Sequence, residues 1–443
     1  MDTIVALSTP WGRSGVGVIR LSGPSARQIV STMCPGTAPW VDRRATLRQA
    51  KGTDGRVLDD VLVTWMVGPR SYTGEDVVEL SGHGNPVVLS ALIDTLVEAG
   101  ARPARPGEFT RRALENGRTD LLRAEALSAL ISARTLAGVY DAREGLSGVL
   151  AVGVSEMRES LLDLAAELEA RLDHPDDDLS MDSDQGVADR LRTIEAHSTT
   201  LADSWHSSRL RQQGASVALV GPVNAGKSSL FNHLVGAERA LVSDTPGTTR
   251  DVIERSVLID GMDVTFLDTA GEGGTDDPIE AAGVALGRAL SAEADLVLVV
   301  VPSHRSPGPA VEALLERTEG LPRLLVGTFS DQEPAAEMVD VEYRVSNTDE
   351  TGIRDLRQAV RAAIGSEATQ GQAAVLTSQR QHDLYRSVAR HSGDAALALL
   401  GALGPAVAAT EVVLAIERLG ELAGIDAREA VLDRLFSRFC IGK

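Results

Sequence analysis

The sequence predicts a multidomain α/β chain: an N-terminal α+β domain, then an all-α helical domain interrupted by an inserted α/β domain with a parallel sheet. Three observations predict it. Residues 1–117 mix short β-rich runs with one helix pattern among glycine-containing loops. Residues 118–212 and 367–443 carry helical periodicity. Between them, residues 213–366 read β-α-β repeatedly, with strands that are continuously apolar, as strands covered on both faces require. A chain of 443 residues exceeds one ordinary core. Inserting one domain into another costs little when its ends lie close together.

In the first segment the β-rich runs are Thr3–Ala6, Gly17–Leu21, Val61–Val67 and Asp76–Leu80, and the helix is Pro86–Ala99. In the second, Leu150, Val154, Met157, Leu161, Leu164, Leu168 and Leu172 form one apolar stripe at helical spacing, which reads as bundle core. His174-Pro175-Asp176-Asp177-Asp178 ends it, because proline cannot continue a helix and the carboxylates repel. The strands of the third segment are Ser216–Val220, Val264–Leu267, Leu296–Val301 and Leu324–Val326. After a Gly/Ala/Gln-rich joint at Gly365–Ala374, helices return at Gln379–Leu400, Thr410–Leu422 and Asp426–Phe439.

Composition excludes several classes. An apolar fraction of 43% is too high for a mostly disordered chain. The first 30 residues lack the pattern of a secretory signal, and no apolar run is long enough to span a bilayer, so a cytoplasmic location is expected. Cys34 and Cys440 are too few for a disulfide framework or a zinc site, and each reads as a small packed side chain. The net charge of −20 argues against nonspecific coating of nucleic acid. Yet residues 1–120 hold 14 basic and 13 acidic side chains, so contact with a polyanion is expected through local basic patches there. Lys51, Lys227 and Lys443 are the three lysines, against 40 arginines.

One of those lysines lies in the most informative segment. Gly221-Pro222-Val223-Asn224-Ala225-Gly226-Lys227-Ser228 follows a predicted strand, and Ser229 continues into a predicted helix. In such a loop the backbone N–H groups of Asn224, Ala225, Gly226, Lys227, Ser228 and Ser229 converge on phosphate oxygens. Lys227 neutralises the outer phosphates and the Ser228 hydroxyl ligates Mg²⁺. Downstream, Thr249, next to Gly247 and Thr248, is the candidate second Mg²⁺ ligand. Asp268-Thr269-Ala270-Gly271 ends a strand, which sets Asp268 near the metal and the Gly271 N–H against a γ-phosphate. Together these make the chain a GTPase candidate.

Base choice is read at Thr328-Phe329-Ser330-Asp331, where guanine-specific proteins usually carry Asn-Lys-x-Asp. Asp331 can accept from the guanine N1–H and exocyclic amine; adenine has no such donor pair. Thr328 is too short to replace Asn fully, and Phe329 can cover a face of the base. Ser346-Asn347 stands where a Ser-Ala pair would offer an N–H to the guanine oxygen.

The order of motifs resembles the MnmE (TrmE) family of tRNA modification GTPases over essentially the whole chain. The resemblance rests on Thr3-Ile4-Val5-Ala6, Gly15–Gly23, Tyr72-Thr73-Gly74-Glu75-Asp76, Gly82-His83-Gly84, Ala104–Phe109, the nucleotide motifs and Phe439–Lys443. It implies a Ras-like inserted GTPase domain and an N-terminal domain that binds a tetrahydrofolate one-carbon derivative (5,10-methylene- or 5-formyl-) and forms a homodimer. It also implies installation of a carboxymethylaminomethyl group at C5 of the wobble uridine of certain tRNAs, giving cmnm5U. The implied partner is an FAD-dependent flavoprotein, MnmG (GidA), in a heterotetramer.

Site residues follow residue by residue from the same resemblance. Asn224 is the implied side-chain K⁺ ligand, completed by carbonyls in the loop Ser243, Asp244, Thr245, Pro246, Gly247 and Thr248, notably Ser243, Thr245 and Thr248. K⁺ then takes the place of an arginine finger. Glu280 orients the attacking water, with Lys227 as the second catalytic residue. Arg20, Glu79, Arg118 and Lys443 hold the folate. The chain departs from the family at Thr328-Phe329, at Ser346-Asn347 and at Glu272. The competing reading is a GTP-sensing switch or weakly hydrolysing scaffold without modification chemistry; a folate constellation separates the two, because a plain switch has no use for one.

Overall fold

The computed structural model describes residues 2–173, 182–236, 253–259, 262–268, 294–365, 375–401, 403–425, 429–437, 439 and 441–442. The chain divides into two compact units. The first comprises Met1–Ser128, Arg143–Asp203 and Leu376–Lys443; the second comprises Ala129–Ala142 and Ser204–Val375.

The first unit opens with a six-stranded sheet: β1 (Ile4–Leu7), β2 (Ser14–Ser22), β3 (Thr46–Lys51), β4 (Val57–Met66), β5 (Val77–Gly84) and β6 (Arg102–Pro103), in the order β3-β4-β5-β2-β1-β6. All pairings are antiparallel except β1 with β6. Alternation decides the faces. Val5, Leu7, Ile19, Leu21, Val63 and Leu80 pack with helices α1 (Ala26–Met33) and α2 (Pro86–Glu98). Proline at the first turn of α2 suits a position that needs no donor, and Asn85 caps that turn by accepting from the Val87 N–H at 2.9 Å. Ile4 and Ala6 turn the other way, onto Phe109 of α3 (Glu108–Glu115). Sequence reading missed α1, β3 and α3.

Helices follow: α4 (Leu121–Ser132), α5 (Leu136–Ser147), α6 (Val149–Asp173), α7 (Asp184–Asp203) and α8 (Trp205–Gln213). The α6 stripe is buried at Leu150, Val154, Met157, Leu161, Leu164 and Leu168. Leu172, expected in it, is 42% exposed, because it sits in the last turn, where α6 ends at Asp173.

The second unit holds β7 (Ala215–Val220), α9 (Lys227–Gly236), β8 (Ile253–Ile259), β9 (Met262–Asp268), β10 (Leu296–Pro302), α10 (Pro309–Arg317), β11 (Arg323–Thr328), β12 (Tyr343–Arg344) and α11 (Ile353–Gly365). Strand order is β12-β11-β10-β7-β9-β8, parallel except for the β8–β9 pair. Val217, Leu219, Leu298 and Val300 pack on α9 and α11, and Val297, Val299 and Val301 pack on α10. The sheet is therefore covered on both faces, as its continuous apolar runs require. The sequence reading missed β8 and β12.

The chain then returns to the first unit with α12 (Gln379–Leu400), α13 (Gly404–Ala423) and α14 (Glu429–Phe436). The Ser378 side chain caps α12 by accepting from the Gln381 N–H. Helix α12 packs against α7 and α13, and α13 against α6. Phe436 and Phe439 close the segment against Ala124 and Leu114. Among the described residues no helix is long and apolar enough to cross a membrane.

Candidate nucleotide and folate sites

Strand β7 delivers the chain to a loop whose shape depends on two left-handed residues. Asn224 has φ 61 and Gly226 φ 85. Asparagine tolerates that region; at 226 a side chain would in addition come 3.1 Å from the Asn347 Nδ2. The loop feeds α9, whose first residue, Lys227, is buried with its ammonium donating to the Gly221 and Pro222 carbonyls, both at 3.0 Å. Ser228 and Ser229 stand exposed in the first turn, where unpaired N–H groups and the helix dipole favour an anion. Asn224 is exposed too. A lysine arched over the loop, with exposed hydroxyls at a helix start, suits phosphates and their Mg²⁺.

The segments expected to read the base meet this loop from the side. Thr328, fully buried at the end of β11, has its hydroxyl 2.6 Å from the Ala225 carbonyl and 3.3 Å from that of Val301. Asn347 donates to the Gly226 carbonyl at 3.3 Å and receives the His233 Nε2–H on its own carbonyl at 2.9 Å. Phe329, with φ 60, lies over Gly226 and makes an edge contact with His304 at 4.7 Å. Asp331 is exposed, with the Thr348 hydroxyl 3.5 Å away. Ser346 accepts from the Thr348 and Asp349 N–H groups, shaping a turn beside it. All of this gathers where the parallel strands β7, β10 and β11 end, the usual ligand edge of such sheets.

In the first unit Arg20 and Glu79 face each other across β2 and β5. The Arg20 Nε and Nη2 both donate to the Glu79 Oε1, at 2.9 and 2.8 Å, which leaves Oε2 without a partner among the described residues. Its Nη1 donates to the Gly442 carbonyl at 3.3 Å, which also accepts from Ser8. Gly442 has φ 95, and a Cβ there would lie 2.3 Å from the Leu7 carbonyl, so the tail reaches this place only with glycine. The Arg20 guanidinium lies over the rings of Tyr72 and Phe109, at 5.5 and 5.8 Å. Burial pushes the Tyr72 hydroxyl above its ordinary pKa against opposing effects of Thr110 and Arg20. Arg118 borders the same loop, its stem against Gly74 and its N–H on the Ala113 carbonyl.

A partly buried ion network supports that loop. Arg112 contacts Asp2, Glu75 and Glu108. A hydrogen bond from Arg102, with help from Arg112 and against burial, holds Asp2 well below the carboxylate range. Burial raises Glu108, but the hydrogen bonds from Arg102 and the Arg105 N–H outweigh it and the net shift is downward. Burial pushes the Cys34 thiol up to about 11, against the Arg48 charge, so it is an inert packed thiol as its sequence context suggests.

The profile of the GTP-binding protein TrmE N-terminus matches residues 3–118, and that of the MnmE helical domain matches residues 121–440. The tRNA modification GTPase MnmE of Myxococcus xanthus (strain DK1622) is 42% identical over 443 residues, covering 100% of this chain and 99% of the relative. The chain belongs to the MnmE family of tRNA modification GTPases. The MnmE of Parasynechococcus marenigrum (strain WH8102) is 41% identical, with the same coverage of both chains. Among solved structures, the G domain of the T. maritima FeoB iron transporter is 27% identical and covers 34% of this chain and 98% of that one, with a TM-score of 0.28.

Of the site residues expected for an MnmE, the structure brings together Asn224, Ala225, Gly226, Lys227, Ser228 and Ser229 in one loop. It joins Arg20 and Glu79 directly and sets Arg118 beside the loop that Arg20 touches. Asp268 ends β9, paired in register with Leu219 of β7. Ser243, Asp244, Thr245, Pro246, Gly247, Thr248, Thr249, Thr269, Ala270, Gly271, Glu272, Glu280, Cys440 and Lys443 lie outside the described residues. Tyr72 and Arg112 had no role assigned from the sequence. Tyr72 stood in a quoted motif with no role, and its only signal was an aromatic amid turn residues. Arg112 carries no sequence signal beyond its helical spacing from Glu108.

Proposed function

We propose that this tRNA modification GTPase is K⁺-activated and works with an FAD-dependent MnmG-type flavoprotein to build the carboxymethylaminomethyl group on wobble uridine. In this reading Ser228 and Thr249 hold Mg²⁺, and Asn224 with carbonyls of Ser243, Thr245 and Thr248 holds K⁺. When bound, such cations would supply positive charge beside the outer phosphates. Lys227 reaches the outer phosphates by exchanging the two loop carbonyls it now contacts for phosphate oxygens. Glu280 orients the water, and Asp331 accepts from guanine.

The observation that carries the modification chemistry is the Arg20–Glu79 pair that receives the Gly442 carbonyl. It brings the C-terminal tail, one residue short of Lys443, to a carboxylate with one oxygen to spare. Such a site fits a pterin edge at Glu79 and a glutamate tail at the cations Arg118 and Lys443. A GTP switch without modification chemistry has no use for it. In this reading the segments 1–117, 118–212, 213–366 and 367–443 are domains, a homodimer forms through the first, and the protein works on tRNA in the cytoplasm. Nucleoside analysis of tRNA from cells lacking the protein tests it. Loss of the C5 substituent at the wobble uridine, restored by the parent and not by Glu79→Ala, is expected. Unchanged wobble nucleosides in the deletion would favour the switch.

A further inference from the structure

We propose that an arginine cluster built on Trp40 and Trp65 is the surface on which this protein takes the phosphate backbone of tRNA. The inference rests on the tRNA reading above and adds the docking surface to it. The two tryptophans meet edge to face at 6.3 Å at the rim of the N-terminal core. Each ring is covered by a guanidinium: Arg27 of α1 lies 4.5 Å from the Trp65 ring and Arg48 of β3 lies 4.7 Å from the Trp40 ring. The Arg43 N–H donates to the Trp65 carbonyl at 2.7 Å, and its guanidinium donates to the Arg70 carbonyl. Arg44 follows next in the chain. Arg27, Arg43, Arg44 and Arg70 are exposed, the last with 79% of its side chain in solvent.

Charge makes the cluster informative. Asp42 is the carboxylate paired within it, 3.6 Å from Arg70, and it is also tied to the Val67 N–H. The protein carries −20 overall, so RNA is repelled by most of its surface and needs such a place. Arginine's fork suits phosphate, and a guanidinium already laid on an indole loses less freedom on binding. The same stacking argues for backbone rather than base recognition. A guanidinium already lies over each indole, which leaves less aromatic surface on which a base could stack. Binding here is therefore expected to be tolerant of sequence and steeply salt-dependent.

The test uses the full chain and an unmodified tRNA transcript. Arg27, Arg44 and Arg70 are changed together to Gln; Arg43 and Arg48 stay because they hold the local fold. The control is Arg56→Gln, in the turn at the far end of the β3–β4 hairpin. The triple variant is expected to bind tRNA about tenfold or more weakly at moderate salt, with a log–log salt slope lower by about two. GTP hydrolysis without tRNA, and the control's binding, stay at parental values. Parental affinity and slope in the triple variant overturn the surface while leaving the tRNA reading intact. Loss of flavoprotein association with unchanged tRNA binding reassigns the cluster to an acidic protein face and overturns it equally. A parent that binds no tRNA at any salt removes the tRNA reading, and this inference with it.

Discussion

Thr328 spends its hydroxyl inside the protein. It is fully buried and its oxygen sits 2.6 Å from the Ala225 carbonyl, so it braces the phosphate loop and has nothing left for a base. Under the proposed function, Asp331, exposed at the turn beyond it, is the side chain that would select guanine. A charge-assisted hydrogen bond of that kind contributes about 1.5–3 kcal/mol, so Asp331→Asn is expected to weaken GTP binding about ten- to a hundredfold. The amide donor it introduces should favour xanthosine triphosphate, whose C2 oxygen accepts. Equilibrium titrations with both nucleotides check this, and a variant that binds GTP as the parent does would place base selection elsewhere. At this scale the sequence was legible where chemistry is local: a Gly-Lys-Ser run can be read in a line. The bracing role of Thr328 was not, because its nearer partner, the Ala225 carbonyl, lies about a hundred residues away in the phosphate loop.

Helix α3 shows what an element adds to its residues. Its apolar content is small, and Phe109 is its main core contact. What fastens it is charge: Glu108 accepts from Arg102 at 2.6 Å and from the Arg105 N–H at 2.8 Å, and Arg112 reaches Asp2 and Glu75. That explains why the helix was invisible to a search for apolar periodicity, whereas α12, with many small buried residues, was read with its observed bounds. Of the strands missed, β8 and β12 lie at the two edges of their sheet and lack the continuous apolar run of the central ones. Both Asp2 and Glu108 are held below their unfolded pKa. Their contribution is therefore fully present above the ordinary carboxylate range and is lost as pH falls through the folded values. Glu108→Gln is expected to cost about 1.5–3 kcal/mol at neutral pH and to flatten the acid limb of the stability curve. Denaturant titrations at neutral and acid pH measure it; an acid limb as steep as the parent's would mean the carboxylate does not fasten the helix.

At the scale of the whole molecule the question is whether one chain hydrolyses GTP alone. Asn224 stands exposed in the phosphate loop in a left-handed conformation. An ion held there lies at a surface, and a surface ion is protected from water only if something covers it. A second copy of the same domain is the simplest cover, and a homodimer formed through the N-terminal domains would supply it at high effective concentration. Turnover should then be markedly faster in K⁺ than in Na⁺, and Asn224→Ala should abolish the difference. Mixing separates ion binding from pairing. When parent and Asn224→Ala chains are allowed to exchange subunits, sites that act independently retain activity in proportion to the parent fraction. Sites that must close on each other retain it as the square of that fraction, because a variant chain disables its partner. Equal rates of the parent in the two salts would remove the ion; proportional loss in the mixture would keep the ion and remove the pairing.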